Sequence, residues 1–255
     1  MNALEVSHLS FRYPDGTVAL QDVCFAIAEG ECVGLIGPNG AGKSSLLLHL
    51  NGLLPDHGAH DNMAVRVLGE ALTHAAMDRV RRHVGLLFQD PDDQLFCPTV
   101  FEDVAFGPQQ FGLAGQPLGA RVREALSRVG LAGYEERTPH HLSHGEKRRV
   151  CLAGVLACEP SVLLLDEPSS DLDPRGRREL KALLRELAVT KIIASHDLEM
   201  IAELCARVIV LDRGRVVAQG PACELLNDEP LMLAHGLERP HILRHMHPHP
   251  PTART

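Results

Sequence analysis

The chain has 255 residues, of which 45% are hydrophobic and 23% charged, a balance typical of a globular protein with a substantial core. Lys and Arg total 25 against 33 Asp and Glu, and the formal charge of −8 disfavours a nucleic-acid binder, whose phosphate contacts need clustered positive charge. Seven cysteines without a Cys-x-x-Cys arrangement predict reduced thiols rather than a disulfide framework or a zinc site.

The first 90 residues alternate strand and turn signals. Strands are predicted at residues 4–11, 21–28, 32–36 and 84–88, with a turn at Pro14-Asp15-Gly16. The short apolar run at 32–36 is typical of a buried strand, and a Gly-rich loop and a helix over 43–51 follow it.

Helical spacing dominates from about residue 89 to 160, and strand–helix alternation then resumes. Helices are predicted at 99–106, 117–129, 146–157, 175–187 and 197–205, and strands at 162–165, 191–194 and 208–211. Repeated strand–helix units predict a largely parallel sheet with helices on both faces. From about residue 240 the tail is rich in Pro and His and lacks periodicity, so we expect it to be poorly ordered.

The strongest local signal is the run Gly37-Pro38-Asn39-Gly40-Ala41-Gly42-Lys43-Ser44-Ser45, which fits G-x-x-x-x-G-K-[ST] between a predicted strand and a predicted helix. Such a loop turns backbone N–H groups towards phosphate oxygens at a helix N-terminus. Lys43 is predicted to neutralise the β- and γ-phosphates of a nucleotide, and the Ser44 hydroxyl to coordinate Mg²⁺.

Two adjacent carboxylates follow the predicted strand at 162–165. Asp166 and Glu167 stand at its C-terminal end, where ligands of open α/β sheets bind. Asp166 is placed to hold Mg²⁺ through water, and Glu167 to orient or deprotonate the attacking water. Alone, the pair is also consistent with the solvated start of a loop, but together with the phosphate loop it predicts a two-part nucleotide site.

The run Leu142-Ser143-His144-Gly145-Glu146 resembles the Leu-Ser-Gly-Gly-Gln signature of the ATP-binding cassette (ABC) ATPase family, and the order of the three motifs also matches that family. The resemblance implies that Ser143, Gly145 and Glu146 contact the nucleotide of a second cassette. The local alternative is a capping box at a helix start. His144 and Glu146 replace the usual Gly and Gln, which leaves their effect on turnover open.

Other positions match the same family. The resemblance implies that Gln89 contacts Mg²⁺ and the attacking water, that His196 contacts the γ-phosphate, and that Tyr13 stacks on the adenine. The run Ser170-Asp171-Leu172-Asp173 resembles the loop that crosses between protomers. A structural histidine and a strand-edge tyrosine are the simpler alternatives for His196 and Tyr13.

The family resemblance implies an α/β fold, namely a P-loop NTPase ABC cassette with a RecA-like core, an antiparallel β-subdomain and a helical insertion. We expect one ATPase domain over residues 1–235, with a core lobe at about 1–89 and 160–235 and a helical subdomain at about 90–159. Residues 236–255 are expected to form a flexible tail. The implied activity is ATP hydrolysis, with ATP and Mg²⁺ as the bound cofactors.

The run Phe88-Gln89-Asp90-Pro91-Asp92-Asp93-Gln94-Leu95-Phe96 resembles the corresponding region of energy-coupling-factor ATPases, in particular the cobalt/nickel transporter ATP-binding subunits. The implied partners are a transmembrane coupling subunit, a substrate-binding membrane component and a second ATPase cassette in a homo- or heterodimer, at the cytoplasmic face of the cell membrane. Asp92 and Asp93 are expected to pair with arginines on a coupling helix, and Leu95 and Phe96 to pack against its apolar side. A solvated acidic loop with a buried Phe is the alternative.

Five of the 15 histidines lie in the last 21 residues. Because alternate residues of an extended chain share a face, His245, His247 and His249 are candidates to converge on one divalent ion such as Ni²⁺ or Co²⁺. A solvated tail, interrupted by prolines and without a ligand, is the alternative.

Together these features predict the ATP-hydrolysing subunit of an importer for cobalt or nickel ions. Two alternatives stay open: an energy-coupling-factor ATPase for another micronutrient such as a vitamin, and a cytosolic ABC ATPase without a transport role. A regulatory protein with a vestigial nucleotide site is opposed by the intact Lys43, Asp166, Glu167 and His196. The negative charge disfavours a partner made of nucleic acid.

Overall fold

The computed structural model describes residues 1–55 and 62–244, and in these residues ten strands form two sheets. The strands are β1 (Asn2–Arg12), β2 (Val18–Ala28), β3 (Cys32–Ile36), β4 (Asn62–Val67), β5 (Glu70–Leu72), β6 (Val84–Leu87), β7 (Val162–Asp166), β8 (Thr190–Ala194), β9 (Arg207–Asp212) and β10 (Arg215–Pro221). A four-stranded antiparallel sheet has the order β2-β1-β4-β5, and a six-stranded sheet has the order β10-β9-β3-β8-β7-β6.

The six-stranded sheet is parallel from β9 to β6, and β10 joins its edge antiparallel to β9. Its central strands are buried on both faces. In β7, Leu163 and Leu165 belong to one apolar cluster, whereas Val162 and Leu164 belong to another. Because side chains alternate along a strand, each face of the sheet supports its own core, which explains why β3 and β7 consist almost entirely of apolar residues.

Ten α-helices accompany the sheets in the described part of the chain. They are α1 (Lys43–Asn51), α2 (Met77–His83), α3 (Val100–Gln110), α4 (Gly115–Arg128), α5 (His144–Ala157), α6 (Pro174–Glu186), α7 (Leu198–Leu204), α8 (Ala222–Leu225), α9 (Glu229–Ala234) and α10 (His241–Arg244). Helices α3, α4 and α5, which lie between β6 and β7 in chain order, pack against one another. Within residues 1–55 and 62–244, none of these helices has the length and apolar character needed to cross a bilayer.

The predicted α/β architecture is confirmed, with one correction to how the parallel sheet is covered. One face carries the core shared with α3 to α7, as expected for a helical layer. The other face shares its core with α1 and α2 and with the antiparallel sheet, so helices alone do not cover it. The antiparallel sheet follows the expectation from the family resemblance.

Seven elements were missed by the sequence patterns: β4, β5, β10, α2, α8, α9 and α10. Strand β5 has only three residues, too few to show a period. Strand β10 has exposed and half-buried residues in alternation and no buried face, so its apolar signal is weak. Strand β2 begins at Val18, three residues before its predicted start.

The C-terminal tail differs from the expectation of a flexible segment over residues 236–244. Leu237 is buried, and α10 packs against α7. The carboxylate of Glu199, which belongs to α7, accepts hydrogen bonds from the backbone N–H groups of His241 and Ile242, the latter at 3.1 Å. A carboxylate at a helix start satisfies N–H groups that have no partner within the helix, and so it holds this segment in place.

Gly42 closes the turn before α1 with a φ of 103°, and a Cβ built there would lie 2.5 Å from the carbonyl oxygen of Ala19. We expect Gly42→Ala to lower the free energy of unfolding by about 3 kcal/mol, because backbone strain and a steric clash add. Gly16→Ala is the control, since Gly16 has a φ of 92° but a Cβ added there would meet no atom within 4 Å, and it should cost about 1 kcal/mol. Urea unfolding measures both, and equal losses would contradict the steric argument.

Candidate functional site

The loop at residues 37–45 joins β3 to α1 and holds a lysine against its own backbone. A Cβ at Gly37 would lie 2.0 Å from the carbonyl oxygen of Leu211, so the chain there passes too close for any side chain. The buried ammonium group of Lys43 donates to the carbonyl oxygens of Gly37 at 2.8 Å and of Pro38 at 3.1 Å. A cation and the N-terminus of α1 are thus brought together in one short loop, an arrangement suited to phosphate.

Asp166 ends β7 next to this loop. Burial raises the pKa of its carboxyl group, and the charge of Glu167 acts in the same direction, whereas a hydrogen bond from Ser44 and the charge of Lys43 act against it. Burial also lowers the pKa of Lys43, against the pull of the two carboxylates. The hydroxyl of Ser44 and the carboxylate of Asp166 are therefore neighbours, and both are oxygen ligands of the kind that Mg²⁺ prefers.

Glu167 follows Asp166 with a φ of 46°, and its buried carboxylate is held by the end of β8. It accepts hydrogen bonds from the Ser195 hydroxyl at 3.0 Å and from the His196 backbone N–H at 3.0 Å. Nδ1 of His196 lies 2.8 Å from Glu167 Oε2, while 69% of the His196 side chain remains exposed. Parallel pairing of β7 with β8 places Asp166 opposite Ala194. The carboxylates of Asp166 and Glu167 therefore lie at the same carboxyl-terminal edge of the sheet as Ser195 and His196, which follow β8.

A cleft of about 700 Å³ lies over this edge of the sheet. It is lined by most of the predicted nucleotide residues, namely Tyr13, Asn39, Gly40, Ala41, Gly42, Lys43, Ser44, Ser45, Gln89, Asp166, Glu167 and His196. The hydroxyl of Tyr13 lies 2.9 Å from Ser45 Oγ, and its ring meets Phe11 edge-to-face with centroids 4.9 Å apart. Residues from five separate stretches of the chain therefore meet around one cavity.

The segment around Ser143 lies outside this cleft. Ser143, Gly145 and Glu146 line a separate hollow that also includes the loop at 171–173. His144 Nε2 lies 3.5 Å from Asp171 Oδ2 there, and both side chains are substantially exposed. One protomer thus does not bring Ser143, Gly145 and Glu146 into the cleft that its own phosphate loop lines.

Glu146 forms the capping box that the sequence left as an alternative. Its Oε2 accepts from the Ser143 backbone N–H at 2.8 Å and from the Ser143 hydroxyl at 2.7 Å, and its Oε1 accepts from the Tyr134 hydroxyl at 2.8 Å. The Ser143 bonds are the main reason that the pKa of Glu146 is lowered. Both carboxylate oxygens are therefore engaged within the protomer, which differs from the expectation of a residue free to contact a nucleotide.

Arg148 is a residue of the site that the sequence patterns missed. Its Nη1 donates to the carbonyl oxygen of Glu167 and its Nη2 to that of Gln89, the latter at 2.6 Å. The side chain is buried, and burial lowers its pKa. One signal was present in the sequence, because Arg148 stands four residues before Leu152 and seven before Val155, on the buried face of α5.

The region after Gln89 is arranged differently from the expectation. Asp92 pairs with Lys147 of the same chain, with Nζ and Oδ1 2.6 Å apart, and this hydrogen bond is the main reason that the pKa of Asp92 is lowered. Leu95 is buried, so it is not available to a partner. Phe96 is 64% exposed and meets Phe106, itself 43% exposed, edge-to-face at 5.0 Å. The apolar part of the exposed surface here is a pair of aromatic rings, and Asp92 and Asp93 are exposed beside them in the chain.

The histidines proposed as a tail metal site, His245, His247 and His249, lie outside the described residues.

A family model described as ABC transporter matches residues 20–170. A putative ABC transporter ATP-binding protein of Gloeobacter violaceus is 56% identical over 240 residues, which cover 93% of this chain and 96% of the relative. The energy-coupling factor transporter ATP-binding protein EcfA of Carboxydothermus hydrogenoformans is 45% identical over 95% of this chain and 89% of its own length.

A solved structure of an ABC transporter component is similar to this chain over almost its whole length. The structure of CbiO1 from Clostridium perfringens, described as part of the ABC transporter complex CbiONQ, matches with a TM-score of 0.76 and 36% identity. The match covers 95% of this chain and 98% of CbiO1.

Proposed function

We propose a cargo, partners and residue roles for this chain on the basis of its family. The chain belongs to the ABC transporter family and is an ATPase. It is the ATP-binding subunit of an energy-coupling-factor type transporter. The proposed cargo is cobalt or nickel. The observation that carries the catalytic part is the cleft in which Lys43, Asp166, Glu167 and His196 converge.

We assign the phosphate-binding role to the loop at residues 37–45. Its backbone N–H groups, the N-terminus of α1 and the Lys43 ammonium would hold the β- and γ-phosphates. Lys43 would exchange its hydrogen bonds to Gly37 and Pro38 for bonds to phosphate oxygens. Tyr13, at the rim of the same cleft, would stack on the adenine.

The residues around the cleft fit a Mg²⁺ ion. The Ser44 hydroxyl, the Gln89 side chain and the Asp166 carboxylate line the same cavity, so three oxygen-bearing side chains are available as direct or water-mediated ligands. When bound, Mg²⁺ would neutralise charge on the β- and γ-phosphates.

Glu167 is the proposed base that orients and deprotonates the attacking water. Its carboxylate is held by Ser195 and by the backbone of His196, so its position is set before ATP binds. The exposed ring of His196 would leave Glu167 to contact the γ-phosphate. The contact between Nδ1 and Oε2 thus becomes one that nucleotide binding replaces.

The proposed catalytic unit contains two cassettes packed head to tail. Ser143 and Gly145 lie at the exposed N-terminus of α5 and outside the cleft of their own protomer, which supports a role towards the nucleotide of the other cassette. Glu146 would serve there by holding Ser143 rather than by direct contact. ATP would join the two protomers, and hydrolysis would release them.

We propose that cobalt or nickel is the transported ion for two reasons. The chain resembles CbiO1 over 95% of its length. The run from Phe88 to Phe96 also resembles the corresponding region of cobalt/nickel transporter ATP-binding subunits. The test is to purify the full complex from native membranes, identify its membrane subunits, and reconstitute it in liposomes with Mg²⁺ and ATP. ATP-dependent accumulation of Co²⁺ or Ni²⁺ is expected, and the complex carrying Glu167→Gln should accumulate neither. A vitamin-binding membrane subunit would overturn the cargo but not the ATPase activity.

Phe96 and Phe106 form the proposed contact for the transmembrane coupling subunit, at the cytoplasmic face of the membrane. An exposed aromatic pair, one ring of which belongs to the run that follows Gln89 along the chain, is suited to insert against an apolar helix face. Phe96→Ala should reduce recovery of the membrane subunits in detergent co-purification by about tenfold. Leu233→Ala is the control, because Leu233 is 62% exposed and lies on α9. Equal recovery for both variants, with unchanged melting temperatures, would place the contact elsewhere.

A further inference from the structure

We propose that His8, Asp22 and Cys24 bind a divalent transition metal of the zinc type on the outer face of the antiparallel sheet. One ligand atom from each of these three side chains lies within 4.8 Å of the other two. The three residues come from the neighbouring strands β1 and β2 and line none of the nucleotide cleft. The proposal therefore does not depend on the proposed cargo.

Two irregularities in strand pairing place these side chains on one face. Leu9 pairs with Val23, and the register shifts on both sides of this pair. On one side, two residues of β1, the second of them His8, oppose Cys24, and His8 has a φ of 54°. On the other side, two residues of β2, the second of them Asp22, oppose a single residue of β1, and Asp22 also has a φ of 54°. Bulges redirect side chains, and here they turn His8 and Asp22 out towards Cys24.

The distances are close to those that a tetrahedral ion requires. Metal bonds of about 2.0–2.3 Å separate a nitrogen from a sulfur ligand by about 3.6 Å and from an oxygen ligand by about 3.4 Å. His8 Nδ1 lies 3.7 Å from Cys24 Sγ and 2.7 Å from Asp22 Oδ1. A small rotation of the Asp22 side chain, which is 65% exposed, would open the second distance.

The surrounding hydrogen bonds favour the same arrangement. The backbone N–H of His8 donates to Cys24 Sγ at 3.0 Å, which orients the sulfur beside the imidazole. The Asp22 backbone N–H donates to Ser10 Oγ at 2.9 Å, which ties down the second bulge. On metal binding, the His8 ring would carry its proton on Nε2, and the Cys24 thiol proton would pass to solvent.

The mixed donor set selects the class of ion. An imidazole nitrogen, a carboxylate oxygen and a thiolate together suit Zn²⁺ or Co²⁺, whereas Mg²⁺ and Ca²⁺ prefer oxygen ligands throughout. Because the His8 side chain is 80% exposed, a water molecule has access to the fourth position. Bound metal would cross-link β1 to β2 and stabilise the sheet by mass action.

The test is titration of the full chain with Co²⁺, which gives a thiolate-to-cobalt charge-transfer absorption only when sulfur is a ligand. We expect this band in the wild-type protein, its loss in Cys24→Ser, and its displacement by Zn²⁺. Cys223→Ser is the control, because Cys223 is more exposed than the half-buried Cys24 but belongs to no such cluster in the described residues, and it should keep the band. Histidines of the tail contribute no sulfur signal.

A second measurement uses the melting temperature. Zn²⁺ should raise it in the wild type and in Cys223→Ser, and by clearly less in Cys24→Ser and His8→Gln. A wild-type protein without the cobalt band would overturn the proposal. A band that survives Cys24→Ser would overturn it too, because another cysteine would then be the ligand.

Discussion

Glu167→Gln should lower kcat for ATP hydrolysis by about 10²–10⁴-fold and leave ATP binding intact. Glutamine has nearly the size of glutamate and can still accept hydrogen bonds from Ser195 and the His196 backbone. It cannot take a proton from water, so only the step assigned to the carboxylate is lost. Steady-state phosphate release measures the rate, and equilibrium titration with a fluorescent ATP analogue measures binding.

The same variant should accumulate as an ATP-bound dimer, because the nucleotide that joins two cassettes is no longer consumed. Size-exclusion chromatography with Mg²⁺ and ATP detects this shift. Glu159→Gln is the matched control, since Glu159 has a φ of 51°, close to the 46° of Glu167, but lies at the surface in an ion pair with Arg121. Its turnover should stay within about twofold of the wild type, as for most surface substitutions. Full activity in Glu167→Gln would remove Glu167 from the reaction.

Arg148→Met should lower the free energy of unfolding by about 3 kcal/mol. The guanidinium is the donor for the backbone carbonyls of Gln89 and Glu167. Methionine would leave both oxygens without this partner, that of Glu167 in a buried position and that of Gln89 in a partly buried one. The gain from removing a buried charge, seen in the lowered pKa of Arg148, offsets part of the loss. Urea unfolding measures the change.

Arg148 also links the signature helix α5 to two segments that line the nucleotide cleft, so its loss should reduce kcat at temperatures where the variant remains folded. We expect a reduction of about tenfold or more, since misplaced catalytic groups are costly. Arg149→Met is the control, because the neighbouring Arg149 is partly exposed and lies 3.8 Å from Glu179. An ion pair of that kind contributes about 0–1 kcal/mol. Similar kcat values and similar free energies of unfolding for Arg148→Met and Arg149→Met would contradict the positioning role of Arg148.

Arg148→Lys separates charge from geometry. A lysine keeps the positive charge but has one nitrogen, whereas Arg148 uses two nitrogens to reach two carbonyls on different segments. Retained stability with a lowered kcat in Arg148→Lys would therefore indicate that Arg148 positions the segments of Gln89 and Glu167 and does more than fill space in the core.

The features of this protein that depend on contiguous residues could be predicted from the order of its amino acids alone. The loop at 37–45 needs glycines, a lysine and a hydroxyl at set spacings, and the carboxylates at 166 and 167 need only the buried strand before them. The apolar runs of β3 and β7 likewise follow from burial on both faces of a parallel sheet. Such features depend on neighbours along the chain, so periodicity and spacing are sufficient to find them.

Polar contacts between residues far apart in the chain could be learned only from the three-dimensional packing. Asp92 pairs with Lys147, 55 residues away in the same chain, although it was expected to pair with a membrane subunit. Arg148 points into the protein and donates hydrogen bonds to the carbonyl oxygens of Gln89 and Glu167. These contacts depend on how α5 packs against the parallel sheet. That packing is set by the whole apolar core between them, and no local pattern encodes it. The cluster of His8 with Cys24 has the same origin, because strand register and bulges, rather than residue spacing, bring it together.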